Sequence, residues 1–270
     1  MRRSLGNTMT LVVSEVTRFG IAMVGDSAVT VTNPGPARVI TGAAKVQYSP
    51  ATNIGFAIWG AACVAGERMD VWLSSFIGRI EPGLPLDSVA ERLAQELNSG
   101  IDRGKQSGDR RGIHVAGYVN GLPHLYHLHT GNEGEPQHEL RVFKDFPYVH
   151  VPSVSEYEHR IKHIGGYQLR SGYHGMFGLL FDSMYRYTET LKQLQFRWPD
   201  GGIEDRVQLY QLLIGLLSDT LVAEGRLPAV GGGITAIAFT SDGLVVDQAG
   251  TPGAADFPCG HNAEFGYCVA

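Results

Sequence analysis

The chain has 270 residues, of which 43% are hydrophobic and 18% charged, a composition that excludes a disordered chain. A net charge of −5 gives no electrostatic basis for binding nucleic acid or an anionic lipid surface. No run approaches the roughly eighteen consecutive apolar residues of a membrane span. Three cysteines (Cys63, Cys259 and Cys268) are too few for a disulfide framework, so a reducing cytosol is the expected compartment. The basic start Arg2-Arg3 is not followed by the apolar stretch of a secretory signal.

The first sixty residues read as strands. Thr10–Val16 and Ile21–Gly25 are β-branched and aliphatic runs separated by Thr17-Arg18-Phe19-Gly20, which predicts a hairpin with Asp26 just past its second strand. Asn33-Pro34-Gly35-Pro36 is a loop, because its two prolines fix φ and remove donors. Strand character resumes at Ala44–Tyr48 and again at Ile54–Trp59, which runs into Gly60.

Helical spacing follows. Val71, Leu73, Phe76 and Ile77 share one side of a segment starting near Glu67. Asp87-Ser88 predicts the N-cap of a second helix carrying Val89, Leu93 and Leu97. Ile113–Tyr118 and His124–Leu128 form a hairpin across Asn120-Gly121, and 131–139 is polar and irregular. Two more helices are expected over Met176–Leu194 and Ile203–Glu224. The apolar content of the second (Leu209, Leu212, Leu213, Leu216, Leu217, Leu221) predicts that most of its sides are covered. A last hairpin joins Ile234–Phe239 to Leu244–Val246 through Ser241-Asp242-Gly243. Helix pairs set between runs of antiparallel strands predict a layered α+β fold, and no linker splits the chain into two domains.

Three residues near the start can act together. The beginning of one hairpin strand and the end of its neighbour lie at the same sheet edge, so Thr10 and Asp26 are expected to be close. An Asp beside Lys45 would hold that lysine charged, and a fixed ammonium makes a nearby hydroxyl easier to deprotonate. On spacing alone, an Asp after a strand also reads as a turn residue and a single Lys as a solvated one. His124, His127 and His129 cluster, with His127 and His129 on one strand face, but no carboxylate lies nearby in sequence and they read as packing or surface histidines. Cys259, His261 and Cys268 have no common zinc spacing. Gly231-Gly232-Gly233 lacks the Lys-Ser/Thr and the helix of a phosphate loop. Neither a metal nor a cofactor is expected.

The run Thr10-Leu-Val-Val-Ser, then Gly20-Ile-Ala-Met-Val-Gly-Asp26-Ser-Ala-Val-Thr30, resembles the opening of proteasome-type subunits, the N-terminal-nucleophile hydrolases. Ala44-Lys45-Val46 is similar to the family's lysine strand, and Ile54 to Gly60 to the strand that ends in its glycine turn. Val115 to Tyr118, Leu122 to Tyr126 and Gly231 to Gly243 resemble its later hairpins. The resemblance implies a four-layer αββα sandwich and a threonine peptidase. Thr10 would be the nucleophile and its freed α-amine the base. Lys45, held by Asp26, would lower the hydroxyl pKa, and the Gly60 N–H would receive the oxyanion. Thr30 would pair with an extended peptide through its backbone. A peptide or protein substrate, a homo-oligomeric ring or open ring, and an ATP-dependent unfoldase are the implied partners. A non-catalytic ring subunit and a small-molecule amidohydrolase are the alternatives.

The chain also departs from that pattern. Residues 1–9 precede Thr10, so the amine exists only after self-processing or after initiation at Met9. Met9 stands where the family has Gly. Its Gly-Ser-Gly turn has no clear counterpart, since His163-Ile164-Gly165-Gly166-Tyr167 occupies the expected place. Pro228-Ala229-Val230-Gly231 replaces its Asp-x-x-Ser element. The last two features, with Leu179-Leu180-Phe181-Asp182, are more similar to the bacterial Anbu branch.

Overall fold

The computed structural model describes residues 10–31, 38–60, 62–100, 111–129, 141–144, 167–172, 174–195, 198, 201–226, 230–255, 259 and 268–269. The opening hairpin pairs β1 (Leu11–Thr17) with β2 (Gly20–Asp26). Its turn is held by the Thr17 hydroxyl, which accepts from Phe19 N at 3.0 Å and donates to Gly20 O at 3.1 Å. Asp26 is the last residue of β2 rather than the first beyond it. Two short strands then pair, β3 (Val29–Val31) and β4 (Arg38–Ile40). The expected Pro-Gly-Pro loop lies outside the described residues. The lysine segment enters β5 (Val46–Ser49), which pairs with β6 (Ile54–Gly60). A small pair, β7 (Cys63–Val64) and β8 (Glu67–Arg68), leads into α1 (Met69–Ile77).

The next helix, α2 (Leu86–Gly100), begins before the expected Asp87-Ser88 cap. Val89 N already donates to Pro85 O at 3.0 Å, and Asp87 sits in the first turn, where a carboxylate favours the helix N-terminus. β9 (Arg111–Val119) and β10 (Leu122–His129) meet across Asn120 and Gly121, whose φ values of 51° and 78° suit the tight hairpin turn that Asn-Gly prefers. β11 (Arg141–Lys144) extends that sheet, and β12 (Tyr167–Gly172) pairs back onto β1. The long helices α3 (His174–Gln193) and α4 (Ile203–Ala223) precede the last hairpin, β13 (Ile234–Thr240) and β14 (Gly243–Gln248). β15 (Cys268–Val269) returns to pair with β3.

Two five-stranded antiparallel sheets result, in the orders β12-β1-β2-β13-β14 and β11-β10-β9-β6-β5. Because strand side chains alternate, each of these sheets has two apolar faces, and three of the four apolar clusters form against them. Leu11, Val13, Ala22, Val24 and Ala236 pack against α3 and α4 through Phe177, Leu213 and Leu217. Phe56, Ile58, Ile113 and Val115 pack against Leu73, Phe76, Leu93 and Leu97 of α1 and α2. Between the sheets lie Val12, Met23, Val46, Ala57, Ala116, Ile237 and Phe239. The chain is therefore a mixed α and β fold with antiparallel sheets, as the alternation of strand runs and helix pairs predicts.

Two expectations need correcting. On α4, Leu209, Leu213, Leu217 and Leu221 recur every four residues and are buried, whereas Leu212 and Leu216 are 52% and 46% exposed. The helix has one covered face rather than cover on most sides; apolar count alone does not fix which side turns inward. Cys63 and Cys259, 196 residues apart, form a disulfide. Cysteine number alone could not anticipate this, since folding brings the two together. Bonded in this way, Cys259 is no longer a candidate zinc thiolate, and the disulfide removes the premise on which a reducing compartment was expected. Among the described residues, no helix is long and apolar enough to cross a membrane.

The two sheets approach one another closely at Gly55. A Cβ there would lie 2.6 Å from Met23 Sδ and 2.8 Å from both Ile237 Cδ1 and Phe239 Cε1. Gly55→Ala should therefore overpack the inter-sheet core and destabilise the protein by about 1–3 kcal/mol. An unchanged urea midpoint would show that the sheets separate freely.

Candidate active site

Thr10 immediately precedes β1, Asp26 ends β2 and Lys45 immediately precedes β5, so the site sits at one end of the space between the two sheets. All three residues are buried. Lys45 Nζ donates to Thr10 Oγ1 at 2.9 Å, to Asp26 Oδ1 at 3.0 Å and to the Ala28 carbonyl. Three N–H groups meet three acceptors, so the ammonium is saturated. Burial pulls the Lys45 pKa below its ordinary value, and the Asp26 carboxylate opposes that shift through charge and hydrogen bonding.

Asp26 is the organising acceptor. Besides Lys45, its Oδ1 accepts from Leu11 N at 2.9 Å, and its Oδ2 accepts from Ala28 N at 3.0 Å and Gly231 N at 3.2 Å. Each of these partners is a backbone amide from a different part of the chain. Gly231 and Gly232, with φ of +150° and +73°, make the last contact possible. A Cβ on Gly232 would lie 2.6 Å from Thr41 Cγ2 and 2.7 Å from Ser27 Oγ. The triple glycine thus lets a loop approach the Asp26 carboxylate closely.

Gly60 closes β6 with φ of +89°, a conformation that strains any side chain. Its placement follows from pairing: Ile58 N donates to Lys45 O at 2.8 Å, and Gly60 lies two residues, about 7 Å, further along that strand. Thr30 is buried in the centre of β3, and its backbone is flanked on both sides, opposite Val39 of β4 and opposite Val269 of β15. Its Oγ1 is buried with no hydrogen-bond partner among the described residues. The structure therefore brings Thr10 and Asp26 onto the same Lys45 ammonium and sets Gly60 and Thr30 on the adjoining strands.

Several neighbours escape sequence reading. Gly172 pairs with Leu11, and a Cβ on it would lie 1.6 Å from the Thr10 carbonyl oxygen. The residue against Thr10 is therefore Gly172, at the end of a strand before a helix. The Gly165-Gly166 stretch aligned by sequence lies outside the described residues. Asp70 holds the approach to Lys45: its Oδ2 accepts from Ala44 N at 3.2 Å and from Arg68 Nη2 at 2.7 Å. His114 bridges the sheets, with Nδ1 2.9 Å from Ser14 Oγ and Nε2 2.9 Å from Ser171 Oγ. Its register opposite His127 follows from the Asn120-Gly121 turn, so the hairpin pattern could have added it to the histidine group. Trp59 Nε1 donates to His127 Nε2 at 3.1 Å, and the His127 and His129 rings lie 4.4 Å apart. These rings pack together between the sheets, and the described residues include no group of His, Cys, Asp and Glu able to hold a metal.

Burial, with a smaller effect from His129, brings the His114 pKa down to about 3, and burial likewise holds His127 well below 6.5. In the unfolded chain both rings take a proton near pH 6.5. Between that pH and about 3 the unfolded state binds more protons, so stability must fall as the pH falls. His114 alone should contribute a slope approaching about 1.4 kcal/mol per pH unit. Urea titrations of wild type and His114→Gln at pH 7, 6, 5 and 4 should show a shallower decline in the variant, and equal slopes would place the proton uptake elsewhere.

No protein-family model matches the chain, and no curated protein matches it. Among solved structures, the chain is similar to an Anbu (Gly-1) mutant from Hyphomicrobium sp. strain MC1, at 12% identity over 90% of this chain and 89% of that chain, with a TM-score of 0.48.

Proposed function

We propose that the chain is a threonine peptidase of the proteasome-type N-terminal-nucleophile class, built as a single four-layer αββα sandwich in which Thr10 becomes the first residue. One observation carries this reading: a buried lysine ammonium donates both to the Thr10 hydroxyl, at 2.9 Å, and to the Asp26 carboxylate, at 3.0 Å. The three apolar cores, one between the sheets and one under each helix pair, support the four-layer arrangement.

Residues 1–9 would be lost by cleavage at Met9–Thr10, or by initiation at Met9 and its removal. The freed α-amine, with an ordinary pKa of about 7.7–8.0, is then the base nearest the hydroxyl in sequence and in reach. It takes the Oγ1 proton through a water, and Oγ1 attacks the carbonyl carbon of the scissile peptide. The carbonyl electron pair moves onto oxygen, towards the Gly60 N–H. The C–N bond breaks, the leaving amine takes the proton back, and an ester remains on Thr10. Water activated by the same amine then hydrolyses the ester. Lys45 remains charged throughout and favours the developing Oγ1 anion. The proposed substrate is an extended peptide running along β3 beside Thr30. Exposed apolar side chains on α3 and α4, including Leu179 at 71% and Val222 at 58%, support a homo-oligomer as the working form.

The native protein should show a mass beginning at Thr10 and should be labelled there by a peptide epoxyketone or a β-lactone. Thr10→Ala should abolish labelling and Thr10→Ser should retain it. A mass beginning at Met1, with no labelling, would instead identify a non-catalytic ring subunit. Labelling without turnover of any fluorogenic peptide would point to a small-molecule amide substrate.

Lys45→Ala should slow labelling by about 10²-fold or more. Because it leaves Asp26 buried without its cation, it should also cost about 3–5 kcal/mol of stability by urea titration. Wild-type labelling rates in a folded Lys45→Ala protein would remove lysine from the mechanism.

A further inference from the structure

β3 leaves the site directly. Lys45 Nζ, which touches Thr10 Oγ1, also donates to the carbonyl of Ala28, the residue before β3 begins. A strand beside β3 therefore has one end at the Thr10 hydroxyl. β4 fills one side, with Thr30 opposite Val39. The chain's own residues 268 and 269 fill the other, as β15.

The register sets its direction. Cys268 lies opposite Val31 and Val269 opposite Thr30, so the chain advances towards Ala28 and the hydroxyl as residue number rises. Val269 is two strand positions from the level of Ala28, about 7 Å. Upstream, the same C-terminal segment is fastened to the rim of the site by the Cys63–Cys259 disulfide, three residues beyond Gly60. Thr30, the middle residue of β3, also carries a buried Oγ1 with no hydrogen-bond partner among the described residues. A buried hydroxyl without a partner is unfavourable, so a strand beside β3 whose side chain bonds it would be favoured.

We propose that β15 is a built-in competitor, a self-blocking strand that occupies the lane an extended peptide takes to reach Thr10 and must be displaced before a peptide binds. The inference rests on the peptidase reading for its consequence, the throttling of turnover. The occupancy itself does not depend on Thr10 chemistry. It requires only that a peptide and β15 compete for the same backbone groups of β3, as any added strand competes for a sheet edge. An occluded site lowers apparent affinity in proportion to the fraction of molecules in which it is open.

The test uses the full chain carrying Thr10→Ala, so that no covalent step intervenes. A fluorescein-labelled peptide with the sequence of residues 264–270 is titrated by anisotropy into this protein and into the same protein bearing Cys268→Pro and Val269→Pro. Prolines cannot donate to the ladder, so the second protein should leave the lane open. The peptide should bind it about tenfold or more tightly than the first. Hydrogen exchange over residues 29–31 should be faster in the proline protein without peptide and slow again with it, at an unchanged melting temperature. Equal peptide affinities, no binding to either protein, or unchanged exchange over 29–31 would each overturn the proposal. A failure of the peptidase reading would appear separately, as the absence of β-lactone labelling in wild type while the competition persists.

Discussion

The structure depends on how one buried carboxylate is satisfied. Asp26 accepts four hydrogen bonds, from Lys45 Nζ and from the amides of Leu11, Ala28 and Gly231. A carboxylate has about four lone-pair positions, so it is saturated. An uncompensated buried charge is far more unfavourable than a paired one, and so the four contacting segments hold one another in place. The start of β1, the turn after β2, the entry to β5 and the glycine loop before β13 all converge there. The contact between Lys45 and Thr10 is part of the same structural joint.

That joint sits at one end of an otherwise apolar space. Val12, Met23, Ala57 and Ile237 fill the middle of the inter-sheet layer, and Gly55 lets the sheets close on one another. Polar groups in the layer are paired rather than solvated. Ser14 and Ser171 bond opposite nitrogens of His114, and either tautomer suits them, because a hydroxyl both donates and accepts. A fully satisfied polar network in a low-dielectric interior fixes register, because a slipped strand would leave several groups without partners at once. β12, which ends in Ser171 and Gly172 against Thr10, is aligned by that network.

The elements that could be read from sequence were those whose signal is local. Asn120-Gly121 fixed a hairpin and its register, and the β-branched and aliphatic run at Thr10–Val16 and the apolar run at Ile54–Trp59 marked strands. The short strands could not be read in this way. β3, β4 and β15 span two or three residues each and exist because a neighbour offers a free edge, a property of the partner and not of the segment. The α4 sequence carried an apolar excess without saying which leucines turn outward, and Leu212 and Leu216 do so because the sheet covers the other side.

The proximity of Thr10 to Asp26 follows from hairpin geometry, since the start of one strand faces the end of the next. The sequence therefore determined that those two residues share a sheet edge, that antiparallel strand runs alternate with helix pairs, and that Gly60 ends a strand. It could not determine that Lys45 reaches both of them, because that contact crosses from one sheet to the other and depends on how the two pack. Asp70 behind Ala44, Gly172 against the Thr10 carbonyl and Gly231 on the Asp26 carboxylate came into view only in the tertiary structure, as did the Cys63–Cys259 bond. Each joins residues separated by long stretches of chain. Local pattern encodes which segments form strands and helices, whereas what lies against them, and on α4 even which face is buried, is set by the packing of the whole chain.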